Sequence, residues 1–192
     1  WRQGVHASVL PVPAEKEVTV YLPLRVNFGG GWSDTPPYCN EHGGTVLNAA
    51  VLLNGEYPVE VCVRQLKEPK VILESADMGT YGEFTDIAAL QDCHNPFDAF
   101  ALHKAALIAC GVIPAEGGSL NSITDRIGGL YLSTQMHNVP KGSGLGTSSI
   151  LAGACVKALF KYFGIPCTEP DLYNHAMCME QIMSTGGGWQ DQ

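Results

Sequence analysis

The sequence predicts an α+β domain, with helices packed on one face of a largely antiparallel sheet. Three observations carry the prediction. Several β-type segments precede the first strong helical run, so strand and helix do not alternate as they do in a parallel sheet. A further segment, Leu130–Met136, alternates like a strand and feeds a glycine-rich loop. Two long helical runs then follow, over 148–163 and 169–184. A length of 192 residues suits one substantial domain or an incomplete two-domain unit.

Each element has a local reason. Residues 1–17 are punctuated by proline and show no period, so they read as a linker or lead-in segment. Val18–Asn27 reads as one strand, followed by a glycine turn at Gly29, Gly30 and Gly31. Thr45–Leu53 and Val59–Leu66 read as a hairpin joined through Asn54-Gly55, the strongest short hairpin signal. Lys70–Ser75 adds a short strand, and 76–96 reads as irregular. Phe97–Cys110 reads as a helix, with Asn95 as N-cap, Pro96 in the first turn and Gly111 at the stop. Ser148–Phe163 is a helix ended by Gly164 and Pro166, and Glu169–Ser184 one that opens with Pro170. No internal repeat or low-complexity segment interrupts this order.

Composition narrows the function classes. A net charge of −8 argues against nucleic acid or an anionic membrane as the main partner. No apolar run approaches the roughly 18 residues of a membrane helix, and no signal peptide is visible. The seven cysteines, at 39, 62, 93, 110, 155, 167 and 178, form no C-x-x-C pair. Reduced thiols in a cytoplasmic protein are the expectation. The six histidines lack metal-ligand spacing such as H-x-x-x-H, and only His42 lies near a candidate site.

Three clusters carry chemistry. The sharpest is Pro140-Lys141-Gly142-Ser143-Gly144-Leu145-Gly146-Thr147-Ser148-Ser149, with a helix behind it. Glycines let backbone N–H groups converge on one point, and the helix adds its positive end there. That is a cradle for a polyphosphate, which a negative protein needs. It is neither a Walker A loop nor a G-x-G-x-x-G fingerprint. Ser148 and Ser149 stand where a hydroxyl either caps the helix or reaches a Mg²⁺ ion.

The second cluster is Arg25-Val26-Asn27-Phe28-Gly29-Gly30-Gly31-Trp32-Ser33-Asp34-Thr35-Pro36-Pro37. A turn here presents Trp32, Ser33 and Asp34. A carboxylate accepts two hydroxyl hydrogen bonds at once, so Asp34 suits a sugar diol, and Trp32 suits a sugar's apolar face. A hairpin turn with a capping Asp and a core Trp fits the same residues. The third cluster is Glu180 followed by Ser184-Thr185-Gly186-Gly187-Gly188-Trp189-Gln190-Asp191-Gln192. One of its two carboxylates can hold Mg²⁺ while the other orients or deprotonates a hydroxyl nucleophile. Alone, Glu180 reads equally as a solvated helix residue and Asp191 as a turn residue.

Together the clusters resemble the GHMP small-molecule kinases, over about residues 18–192. The glycine loop is similar to that family's P-x-x-x-G-L-G-S-S-A motif, with Thr147 for the first Ser and Ser149 for the Ala. Within the family, R-V-N-F-G-G-G-W-S-D-T-P-P and T-G-G-G-W-Q-D-Q resemble the L-fucokinases and heptose-7-phosphate kinases. The wording around 93–110 and 141–153 looks most like bacterial L-fucokinase. The resemblance implies the ribosomal-protein-like fold of the GHMP N-terminal domain, with ATP and Mg²⁺ as cofactors. It implies that Gly142 to Ser149, with Lys141, wrap the ATP phosphates, Ser143, Gly144, Leu145 and Gly146 included. It implies Ser148 and Glu180 as Mg²⁺ ligands, the eleven-residue step from Glu180 to Asp191 being the family's spacing.

The remaining implied roles concern the sugar. Asp191 is the implied catalytic carboxylate for the anomeric hydroxyl, with Arg25 lowering that hydroxyl's pKa and steadying the γ-phosphate. Asp34, Trp32, Ser33 and Gly188 are the implied sugar contacts. The implied reaction is transfer of phosphate from ATP to O1 of L-fucose, with a phosphorylated heptose as the rival acceptor and a non-catalytic sugar and ATP sensor as the rival class. A pyrophosphorylase domain fused on the N-terminal side is a further implied partner. The ends at Trp1 and Gln192 suggest an internal fragment, inactive alone, that lacks the family's C-terminal domain and exposes apolar surface in its place.

Overall fold

The structure is a computed structural model, and it describes residues 10–93, 95, 97–139 and 147–183. Among the described residues seven strands form in order: β1 (Glu17–Leu22), β2 (Leu24–Gly29), β3 (Leu47–Val51), β4 (Val59–Leu66), β5 (Val71–Ser75), β6 (Thr80–Phe84) and β7 (Gly129–Met136). Six α-helices accompany them among the same residues: α1 (Tyr38–His42), α2 (Ile87–Gln91), α3 (Ala101–Ala109), α4 (Leu120–Ile127), α5 (Thr147–Phe163) and α6 (Glu169–Ile182).

Five strands build the main sheet in the order β1-β4-β7-β5-β6, and β2 and β3 form a separate two-stranded ribbon. Every neighbouring pair is antiparallel except β5 and β7. The sheet is one-sided because β4 alternates. Val59, Val61 and Val63 are wholly buried, while Glu60 and Cys62 between them face outward. Register carries that face across the sheet, since Val63 pairs with Leu132 and Leu132 with Leu73. On the outer face Arg64 lies 4.5 Å above the Tyr131 ring, and the Tyr131 hydroxyl donates to Glu74.

Helices cover the inner face. α5 lies against β1 and β4, and α3 and α6 pack on α5 and on each other. α5 is apolar nearly all round, with Ala152, Ala154, Cys155, Val156, Ala158 and Leu159 fully buried, as a helix between a sheet and other helices must be. Burial lifts the Cys155 thiol to about 12. Its stop is Gly164, at φ 67°. α6 starts on a capping box, in which Thr168 Oγ1 accepts from the Asp171 amide and Asp171 accepts from the Thr168 amide. The Thr168 hydroxyl, which donates to Asp171 Oδ2 at 2.6 Å, and then the Thr168 amide hold the Asp171 carboxyl below its usual range. Among the described residues, no helix is long and apolar enough to cross a membrane.

Four expectations need correction. The strand over 18–27 is two strands in two sheets, because Pro23 offers no N–H for the ladder and the chain changes partner there. The Asn54-Gly55 turn forms, with φ of 52° and 83° and a Leu53–Glu56 bridge. No ladder follows it, since β3 pairs with β2 and β4 with β1 and β7. The irregular stretch 76–96 contains a 3-10 turn at Ala76–Met78, then β6 and α2. The helix expected from Phe97 begins at Ala101. Asn95 and Asp98 use their side chains on the Phe97 and Phe100 amides in the turn before it. α4, on a run with no reading above, is an extra helix.

Candidate active site

The ribbon ends in a loop held by backbone contact. Gly30 has a φ of +79°, and a Cβ there would lie 1.8 Å from the Thr45 carbonyl oxygen. A Cβ on Gly44 would lie 2.4 Å from the Ser33 carbonyl oxygen. Only glycine permits strand ends to meet this closely. Ser33 closes the same junction. Its hydroxyl donates to the Gly30 carbonyl at 2.6 Å and accepts from the Thr45 amide at 3.2 Å. Ser33 therefore shapes the loop through its hydroxyl.

The two neighbours of Ser33 differ sharply. Trp32 has a φ of 70° and is 77% exposed. A bulky side chain in the left-handed region costs roughly 1–2 kcal/mol, and such strain gathers at ligand sites. Asp34 is wholly buried. In a drier environment a hydrogen bond to its carboxylate is worth more than at the surface. Arg25 is half-buried in β2, opposite Ala50 of β3. One ribbon thus supplies the indole, the carboxylate and the guanidinium that the sequence singled out.

A second candidate cluster lies where α5 begins. This helix has seventeen residues and no acid in its first turn, so its positive end is uncompensated from within. Ser148 is exposed, and Ser149, about 100° further round, faces α6. Glu180 meets it there. The Ser149 hydroxyl donates to Glu180 Oε1 at 2.8 Å. Glu180 is only 9% exposed because it shares the inward face of α6 with Ala176 and Met179, at helical spacings of three and four.

The structure thus joins the start of the glycine-loop helix to Glu180 through Ser149. The resemblance pairs Ser148 with Glu180 as Mg²⁺ ligands and gives Ser149 to the phosphates, whereas the hydrogen bond to Glu180 comes from Ser149. The signal was present in the departure from the family motif at 149. Lys141, Gly142, Ser143, Gly144, Leu145 and Gly146 lie outside the described residues, as do Gly188 and Asp191. Thr147 is the first residue of α5. Serine hydroxyls and a carboxylate are the hard oxygen donors that Mg²⁺ takes, so the donor set at the head of α5 fits that ion.

Residues 116–192 match the family described as GHMP kinases N terminal domain. The chain is 38% identical over 187 residues to an L-fucokinase/L-fucose-1-P guanylyltransferase from Bacteroides fragilis, covering 95% of this chain and 20% of that protein. It is 28% identical over 181 residues to a D-glycero-alpha-D-manno-heptose 7-phosphate kinase from Campylobacter jejuni, covering 92% of this chain and 47% of that one. The chain therefore spans a fifth to a half of these relatives' lengths. Its fold superposes with a TM-score of 0.66 on a Lactococcus lactis galactokinase complexed with galactose, at 18% identity, over 92% of this chain and 41% of that one. Over residues 116–192 this chain matches the N-terminal domain of the GHMP kinases, and over most of its length it has their fold.

Proposed function

We propose that the protein containing this chain is an ATP-dependent sugar kinase that phosphorylates the anomeric O1 of L-fucose, giving fucose 1-phosphate and ADP. The observation that carries the reading is the 38% identity to the Bacteroides fragilis fucokinase protein over nearly the whole of this chain. That relative's guanylyltransferase part also supports a fused domain that goes on to make the guanylylated sugar.

Phosphoryl transfer needs positioning and charge neutralisation more than covalent help. Lys141 to Ser149 cradle the phosphates, with the α5 N-terminus supplying positive potential. Ser148 and Glu180 hold Mg²⁺, which when bound screens phosphate charge. Arg25 steadies the transferring group and favours ionisation of the acceptor hydroxyl. Asp34 holds sugar hydroxyls while Trp32 and Ser33 shape that end of the pocket, and Gly188 leaves room beside it. Asp191 accepts the proton from the attacking hydroxyl.

A second reading, a heptose 7-phosphate kinase, is favoured by the 28% identity to the Campylobacter jejuni enzyme. An acceptor that already bears phosphate calls for a basic pocket, and no cluster of Lys and Arg stands near Gly30–His42. The deciding experiment measures ADP release by the full-length protein with MgATP and either L-fucose or the heptose phosphate. Fucose-dependent release is expected, with Asp191→Asn slower by on the order of 10²–10⁴. Release on the heptose phosphate alone replaces the substrate. Nucleotide binding without turnover on either sugar turns the reading toward a sensor. A loss under about tenfold in the variant makes Asp191 a positioning group.

A further inference from the structure

We infer that Ser149 is a positioning residue that sets the Glu180 carboxylate for the metal at the head of α5. The inference rests on the kinase reading above, in which Glu180 is a Mg²⁺ ligand. Its own support is local. Ser149 stands where the family motif that the loop resembles has Ala, and it carries a hydroxyl there. That hydroxyl has one proton to give, and it gives it to Glu180 Oε1 at 2.8 Å.

Both partners sit on well-anchored backbone. Ser149 is in the first turn of α5, whose body is buried against β1 and β4. Glu180 is in the last turns of α6, on the face that holds fully buried Met179. A glutamate has three side-chain torsions to fix before its carboxylate can ligate a cation in one orientation. A hydrogen bond to one oxygen from a neighbouring helix fixes the last of them. Ser148 and Ser149 diverge by about 100° round the helix. The two adjacent hydroxyls therefore point in different directions, with Ser148 exposed and Ser149 turned to α6. Groups that orient metal-ligating carboxylates commonly control metal affinity as strongly as some ligands do.

A purely structural clamp between α5 and α6 would use the same hydrogen bond, and metal affinity separates the two roles. The test uses the full-length protein saturated with a non-hydrolysable ATP analogue and measures Mn²⁺ binding by electron paramagnetic resonance. The variants are Ser149→Ala, Ser149→Thr and Glu180→Gln, each also melted thermally. Ser149→Ala is expected to weaken Mn²⁺ binding by about tenfold, and Ser149→Thr, which restores the hydroxyl, to lie within about twofold of wild type. Melting temperatures are expected to stay together. Wild-type Mn²⁺ affinity in Ser149→Ala, with affinity lost in Glu180→Gln, overturns the inference and leaves the metal reading standing. Wild-type affinity in Glu180→Gln overturns the metal reading and the inference with it. A lower melting temperature in Ser149→Ala with unchanged Mn²⁺ affinity reduces the contact to a clamp and also overturns the inference.

Discussion

The five-stranded sheet and the β2–β3 ribbon solve the problem of holding backbone in place by opposite means. The sheet relies on burial. Val59, Val61, Val63, Leu73 and Leu132 are all fully covered, and each such side chain is worth roughly 1.5–3 kcal/mol. The ribbon has little to bury. Of its two strands only Leu24 is in the core, while Phe28 and Leu47 are about two-thirds exposed. Its loop keeps its shape through close backbone approach at Gly30 and Gly44 and through the Ser33 hydroxyl. Burial specifies a fold and tolerates repacking, whereas contacts at van der Waals limits specify one loop conformation and tolerate almost nothing. Candidate sugar-binding groups sit on the second kind of scaffold.

The comparison breaks most visibly in a crossed pair of substitutions. Leu132→Ala, in the sheet, is expected to cost about 2–5 kcal/mol, seen as a fall in melting temperature on the order of 10 °C. Activity per folded molecule should stay near wild type. Gly30→Ala, in the ribbon, should do the reverse. Its Cβ cannot coexist with the Thr45 carbonyl, so the loop must move, and displacement of this kind costs about a hundredfold in kcat/KM. Its melting temperature should fall by less than about 3 °C. Equal thermal losses in the two variants would show that the ribbon belongs to the sheet's cooperative unit.

A pH dependence is expected on the sheet side. His103 on α3 is buried between β5 and β7, with Nε2 2.9 Å from the Glu74 carbonyl and 3.0 Å from Thr134 Oγ1. A carbonyl can only accept, so Nε2 carries the proton, and Nδ1 is a buried acceptor with no hydrogen-bond partner among the described residues. Burial pushes this imidazole from 6.5 down to about 4. The unfolded chain then binds a proton that the folded chain refuses. The His103 contribution is complete above about pH 6.5 and falls away as pH drops toward 4, by on the order of 3 kcal/mol. Denaturant titrations of wild type and His103→Gln from pH 7 to 4.5 should converge or cross by that amount. Parallel curves would remove His103 as the source.

Legibility in the sequence followed the same division. β4, β7, α5 and α6 could be read because alternation and helical period come from burial, and burial is what those patterns record. The fate of the Asn54-Gly55 turn could not. Local residues specify the turn, but its flanking strands answer to β2 and β1, which are distant in sequence. The bond from Ser149 to Glu180 is hidden for a related reason. A residue inside a motif shows no partner until the neighbouring helix supplies one. Of the candidate site, the residue types and their clustering were legible, while the contact between the head of α5 and Glu180 had to come from the fold.

The smallest expected effect is also the sharpest probe of the ribbon. Ser33→Ala removes one hydroxyl that donates to Gly30 and accepts from the Thr45 amide. A single exposed hydrogen bond of this kind is worth about 1 kcal/mol, too little to move the melting temperature appreciably. Local opening is another matter, because each 1.4 kcal/mol is a tenfold change in an opening equilibrium. Amide hydrogen exchange at Thr45 should therefore speed up about fivefold in Ser33→Ala. The amides of Val61 and Leu132, in the centre of the main sheet, should exchange as in wild type. Faster exchange confined to the loop means that the ribbon opens while the sheet stays closed. Faster exchange at all three amides would mean that loop and sheet open together, and the distinction between the two scaffolds would then be one of packing rather than of motion.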